Sequence, residues 1–81
     1  MSRSVRFLTR DGCSLCDDAL PRVRRIAPRL GLEVEVLDVD AAGLAGAYGE
    51  RIPVLLGRDD RVLAEGRMER LWWPLFKERL R

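Results

Sequence analysis

The residues able to do covalent chemistry are few. Cys13 and Cys16 stand with two residues between them near the start of an 81-residue chain that holds no histidine. Without histidine there is no Cys–His nucleophile pair, no imidazole acid–base catalysis and no Cys–His zinc site. Two thiolates cannot close a four-thiolate zinc site inside one chain, so zinc or an iron–sulfur cluster would have to be shared between two copies. Within one chain, what remains is dithiol–disulfide exchange, in which a thiolate is the attacking species. A C-x-x-C spacing is a weak signal when it stands alone. Its meaning depends on the elements that carry it.

Upstream, Val5, Phe7 and Leu8 read as a strand over residues 4–9. Downstream, Cys16, Leu20, Val23, Ala27 and Leu30 recur at spacings of four, three, four and three. That is one apolar stripe on a helix, running to about Leu30. Asp11-Gly12 supplies the turn between them. Cys16 belongs to the stripe and should face the core. Cys13 lies one turn earlier, at the helix tip, where it should meet solvent. Asp17 and Asp18 fall in the first turn, where the helix dipole favours acids. Pro21 removes one helical hydrogen bond and predicts a bend. Gly31 suits a left-handed stop.

The remaining segments alternate in type. Residues 32–39 read as a second strand, with Glu33 and Glu35 suiting a sheet edge. A strand–helix–strand unit of this length implies parallel pairing. Asp40 is expected to cap a short helix over 41–48, anchored by Leu44 and Tyr48. Pro53-Val54-Leu55-Leu56 is a continuous apolar run, as in a central strand covered on both faces, and Pro53 must open it because proline cannot sit mid-ladder. Residues 57–60 turn the chain back into a partner strand over 61–65. From Arg67 onward Met68, Leu71, Trp72, Leu75 and Leu80 follow helical spacing. Pro74 should kink that helix, and Trp72 should pack on the sheet. The order is β-α-β-α-β-β-α: an α/β fold with a four-stranded mixed sheet, helices on both faces, and one domain over residues 1–81.

Composition narrows the partners. Apolar residues make up 47% and charged residues 35%, with a net charge of +2. Arginines are numerous, but acids are interspersed nearly one for one, so no polyanion field arises and no nucleic-acid partner is expected. There is no eighteen-residue apolar run and no N-terminal apolar segment, so neither a membrane partner nor export is expected. The reading is a cytoplasmic monomer whose cysteines form a working pair and not a disulfide scaffold.

Three features then agree. The cysteine pair lies at a strand-to-helix junction, Pro21 follows Cys16 inside the helix, and an Ile52-Pro53 dipeptide opens the next central strand. In these features the chain resembles the glutaredoxin-like branch of the thioredoxin superfamily. It is most similar to small members with a C-x-L-C motif and a Tyr-Gly-x-Arg-x-Pro-Val-Leu segment, here Tyr48-Gly49-Glu50-Arg51-Ile52-Pro53-Val54-Leu55. The likeness extends from residue 5 to about residue 71. It implies a thioredoxin-like fold, with Cys13 as the attacking thiol, Cys16 as the resolving thiol and a cis peptide bond before Pro53.

Substrate contacts are implied at Arg10, Leu15, Ile52 and Pro53. Arg10 fills the slot of a lysine that holds a carboxylate in glutaredoxins. Leu15 stands where an aromatic is usual, Ile52 offers main-chain contacts, and the acidic motif at the last helix is reduced to Gly66 and Glu69. The resemblance further implies no bound cofactor or metal, and glutathione as a co-substrate. Substrates would be protein or glutathione mixed disulfides, with recycling by a thioredoxin or glutathione system. The alternative is a non-catalytic thioredoxin-fold module that binds proteins through the face around Tyr48 and Ile52.

Overall fold

A computed structural model of the chain describes residues 3–81. Met1 and Ser2 of the expected single domain lie outside the described residues. The elements are β1 (Arg3–Thr9), α1 (Ser14–Ile26) running into a 3-10 turn at Ala27–Leu30, β2 (Leu32–Asp38), α2 (Ala45–Tyr48), β3 (Val54–Leu56), β4 (Val62–Glu65) and α3 (Trp72–Arg79). The four strands lie in the order β2-β1-β3-β4. β1 pairs parallel with β2, with Thr9 opposite Asp38. β1–β3 and β3–β4 are antiparallel. This is the expected mixed sheet of a thioredoxin-like α/β fold, with the glutamate-bearing strand at an edge.

Period-two alternation divides the core into two layers. On one face Val5, Phe7, Leu32 and Leu55 meet the α1 stripe of Cys16, Ala19, Val23, Ala27 and Leu30, together with Met68, Leu71 and Leu75. On the other face Leu8, Val54 and Leu56 meet Val39, with Leu37, Leu44 and Tyr48 packed against them. All three residues of β3 are buried, as its unbroken apolar run requires. Each large aliphatic side chain so covered contributes about 1.5–3 kcal/mol. This sets the strand ends of β1 and β3 rigidly beside one another.

Three expectations about local structure are overturned. First, Asp40 does not cap a helix over 41–48. The Asp38 carboxylate accepts from the amides of Asp40 and Ala41 at 2.8 and 3.2 Å, and this organises a turn instead. The helix begins only at Ala45, after Gly43 has taken a positive φ of 73°. Second, residues 67–71 are not helical. Met68 has φ 54° and is buried, and α3 starts at Trp72. Pro74 then sits in the first turn, where its missing N–H is not needed, so it has no helical bond to break. Third, Trp72 is 49% exposed and Trp73 61% exposed. Leu71 and Leu75, four residues apart, point inward, and Trp72 stands about 100° round the helix from Leu71. Both indoles stack on Phe76 instead, with ring centroids 6.4 and 6.0 Å away.

Candidate thiol–disulfide site

β1 ends at Thr9, and the chain turns through Arg10, Asp11 and Gly12. Gly12 has φ 78°, a conformation that costs a side-chain-bearing residue but not glycine. The turn delivers Cys13 in an extended conformation (φ −97°, ψ 102°) as the N-cap of α1. An N-cap side chain accepts a hydrogen bond from an otherwise orphaned helix amide, a role usually filled by oxygen. Here sulfur fills it: the Cys16 amide donates to Cys13 Sγ at 3.1 Å. The Asp17 amide donates to the Cys13 carbonyl at 3.1 Å. A thiolate at Cys13 would receive a charge-assisted bond at the positive end of a helix.

Cys16 belongs to the apolar stripe and is only 2% exposed. Cys13 is half-buried and packs against the same cluster. The two are joined as a disulfide, with their Cα atoms 5.2 Å apart. Cys13 is thus the partly exposed member of the pair and Cys16 the buried one.

Ile52 and Pro53 come from the other side of β1. The Ile52–Pro53 peptide bond is cis. Ile52 is half-buried and packs against both core layers, sharing one of them with Cys13. Pro53 is buried, and its carbonyl accepts from the Gly66 amide at 2.9 Å. Leu15 is 41% exposed and borders a shallow cleft of about 160 Å³ with Asp18, Arg22, Arg67 and Glu69. Arg22 spans one side of that cleft by donating to the Arg67 carbonyl at 2.9 Å.

Arg10 is not free. Its Nε donates to Asp40 Oδ2 at 2.8 Å and its Nη2 to Asp40 Oδ1 at 2.9 Å, while Nη1 donates to the Gly49 carbonyl at 3.3 Å. This is a two-pronged guanidinium–carboxylate pair. Hydrogen bonding to Arg10 holds the Asp40 carboxyl below its ordinary pKa, and the same bond, with the Asp40 charge, raises that of Arg10. Gly49 is hemmed in: a Cβ there would stand 2.6 Å from the Ala45 carbonyl oxygen and 3.1 Å from Arg10 Nη2. Two residues on, Arg51 donates to Glu65 at 3.0 Å and lies over the Tyr48 ring at 5.3 Å. The Tyr48-Gly49-x-Arg51 segment is therefore pinned from both sides just before Ile52.

Asp40 and Glu65 escaped the sequence reading as parts of this region. A signal for Asp40 existed. Parallel pairing with Thr9 opposite Asp38 brings the residue after β1 alongside the residues after β2. Among the described residues no group of three or more Cys, Asp or Glu side chains could hold a metal ion, and no helix is long and apolar enough to cross a membrane.

Comparison with known proteins gives a consistent picture. The family model described as "Glutaredoxin-like domain (DUF836)" matches residues 4–81. Uncharacterized proteins of Mycobacterium tuberculosis and Mycobacterium bovis are each 35% identical over 88 aligned positions, which cover 100% of this chain and 82% of theirs. The solution NMR structure of protein Ne2328 from Nitrosomonas europaea superposes with a TM-score of 0.70 at 27% identity, covering 85% of this chain and 84% of that one.

Proposed function

The chain belongs to the glutaredoxin-like domain family, and from that premise we propose that it is a thiol–disulfide oxidoreductase acting through Cys13 and Cys16. The observation that carries the reading is the unequal placement of the two sulfurs. Cys13 caps α1, takes the Cys16 amide and reaches the surface, whereas Cys16 is buried behind it. In the reduced protein the Cys13 thiolate attacks one sulfur of a substrate disulfide. That disulfide bond breaks and its other sulfur leaves as a thiolate. Cys16 loses its proton and attacks the Cys13 sulfur of the mixed disulfide, releasing the second substrate sulfur. Two electrons pass from the protein to the substrate, and the Cys13–Cys16 disulfide is formed.

Leu15, Ile52 and Pro53 border this chemistry. The surface-facing Leu15 offers apolar contact, and the main chain at Ile52 offers hydrogen-bonding groups to an extended substrate. Substrates are disulfides of proteins or mixed disulfides, reduced in the cytoplasm, and an external dithiol or thiol system regenerates the pair. A redox titration in buffers of reduced and oxidised glutathione, followed by thiol labelling and mass, tests the reading. A reversible two-electron transition confined to Cys13 and Cys16 is expected. A protein whose cysteines stay reduced, or stay oxidised, across the whole range would instead point to a binding module.

A further inference from the structure

We infer that Asp40 is a specificity determinant of the thiol site: by engaging Arg10 it withholds the cation that an anionic disulfide would need, and so selects polypeptide disulfides over glutathione-like ones. The inference rests on the exchange reading above and narrows its substrate class. Two arginines flank the segment that leads to Ile52, and each is already paired. All three nitrogens of Arg10 are engaged, two by Asp40 and one by the Gly49 carbonyl. Arg51 is held by Glu65 and the face of Tyr48. Around the cysteines themselves Asp11, Asp17 and Asp18 are exposed. The two arginines on the Ile52 side are thus neutralised, whereas on the Leu15 side Arg22 and Arg67 share the cleft with Asp18 and Glu69.

Oxidised glutathione carries more carboxylates than amines. To take Arg10 as its cation it would have to displace Asp40 from a pair whose two-pronged geometry is already satisfied. It would also approach three further acids. The disulfide of a folded or unfolded polypeptide needs no such cation. It is held by main-chain hydrogen bonds and apolar contacts, which the half-buried Ile52 and the exposed Leu15 can supply. Charge arrangements of this kind discriminate between partners more by excluding the wrong one than by tightening the right one.

The experiment compares the rate constants of the reduced protein with oxidised glutathione and with neutral hydroxyethyl disulfide, and reads their ratio. In Asp40→Asn, Arg10 is freed and the ratio should rise by about two- to fivefold, the upper part of the range for an exposed charge interaction. Asp40→Glu keeps the pair and should keep the wild-type ratio. In the double variant Arg10→Gln/Asp40→Asn the ratio should return to that of the wild type. An unchanged ratio in Asp40→Asn overturns the inference. So does a rise that survives the loss of Arg10, or a double variant well below the wild type, which would mean that Arg10 binds substrate despite its partner. Absence of any reaction between the reduced wild type and the neutral disulfide is a separate result, and it removes the exchange reading itself.

Discussion

The Cys16 backbone amide donates to the Cys13 sulfur across 3.1 Å. Placing the first cysteine at the N-cap therefore gives it a hydrogen-bond donor from the second. Thiols at helix N-termini and in C-x-x-C pairs have pKa values of roughly 3.5–7.5, against about 8.5 for a free thiol. Among the described residues none donates a hydrogen bond to the Cys16 sulfur, and Cys16 is 2% exposed. In the reduced protein, iodoacetamide at neutral pH should modify Cys13 at least about tenfold faster than Cys16, as read by mass mapping. Equal rates would remove the distinction between attacking and resolving thiol.

The pair of Asp40 and Arg10 has a pH signature. Asp40 has its carboxyl pKa lowered in the folded state by hydrogen bonds from Arg10. The stabilisation is present above the carboxyl's ordinary pKa of about 3.9 and is lost as pH falls through the depressed folded value. The melting temperatures of wild type and Asp40→Asn should therefore differ at neutral pH and converge on the acid side of pH 4. The difference is small, because the pair is open to solvent and screened. A gap that widened on acidification would contradict the assignment.

Gly49 tests the packing of the Tyr48-Gly49-x-Arg51 segment. A methyl group there would stand 2.6 Å from the Ala45 carbonyl oxygen, a backbone atom that cannot swing away. Gly49→Ala should cost about 1–3 kcal/mol in urea unfolding, as overpacking does. It should also disturb the Arg10–Gly49 hydrogen bond. Full stability in that variant would show that α2 can shift freely, against the pinning described above.

Helix α3 separates two kinds of large apolar residue. Leu75 is buried against the sheet, whereas Trp73 is 61% exposed. Leu75→Ala should cost about 2–5 kcal/mol of unfolding free energy. Trp73→Ala, although it removes more atoms, should stay within about 1 kcal/mol, since it loses only exposed contacts, the stacking on Phe76 and the Lys77 ammonium over its ring. The reverse order would show that Trp73, and not Leu75, carries the packing of α3.

Much of this architecture was legible from period and punctuation. The stripe from Cys16 to Leu30 has the 3.6-residue period, the run Val54–Leu56 is apolar on both parities, and Gly12 and Gly31 mark the ends of α1 and its 3-10 extension. These follow from local rules, so the sequence contains them. What was not legible depends on contacts between distant residues. Asp40 has the chemistry of a helix cap, but Arg10 stands beside it once β1 and β2 are parallel, and Asp38 takes over the turn. Trp72 has the hydrophobicity of a core residue, but the left-handed backbone at Met68 delays α3 and turns the indole outward. Arg10 looked like a free cation because sequence spacing shows neighbours along the chain and not across the sheet.

Exchange through this pair requires that Cys13 attack and Cys16 resolve. Cys16→Ser, reduced and then exposed to excess hydroxyethyl disulfide, tests it by intact and peptide mass. A stable mixed disulfide should form on Cys13 in that variant, a much slower adduct in Cys13→Ser, and only the internal disulfide in the wild type. An adduct forming faster on Cys16 in Cys13→Ser, or no adduct in either variant, would contradict it.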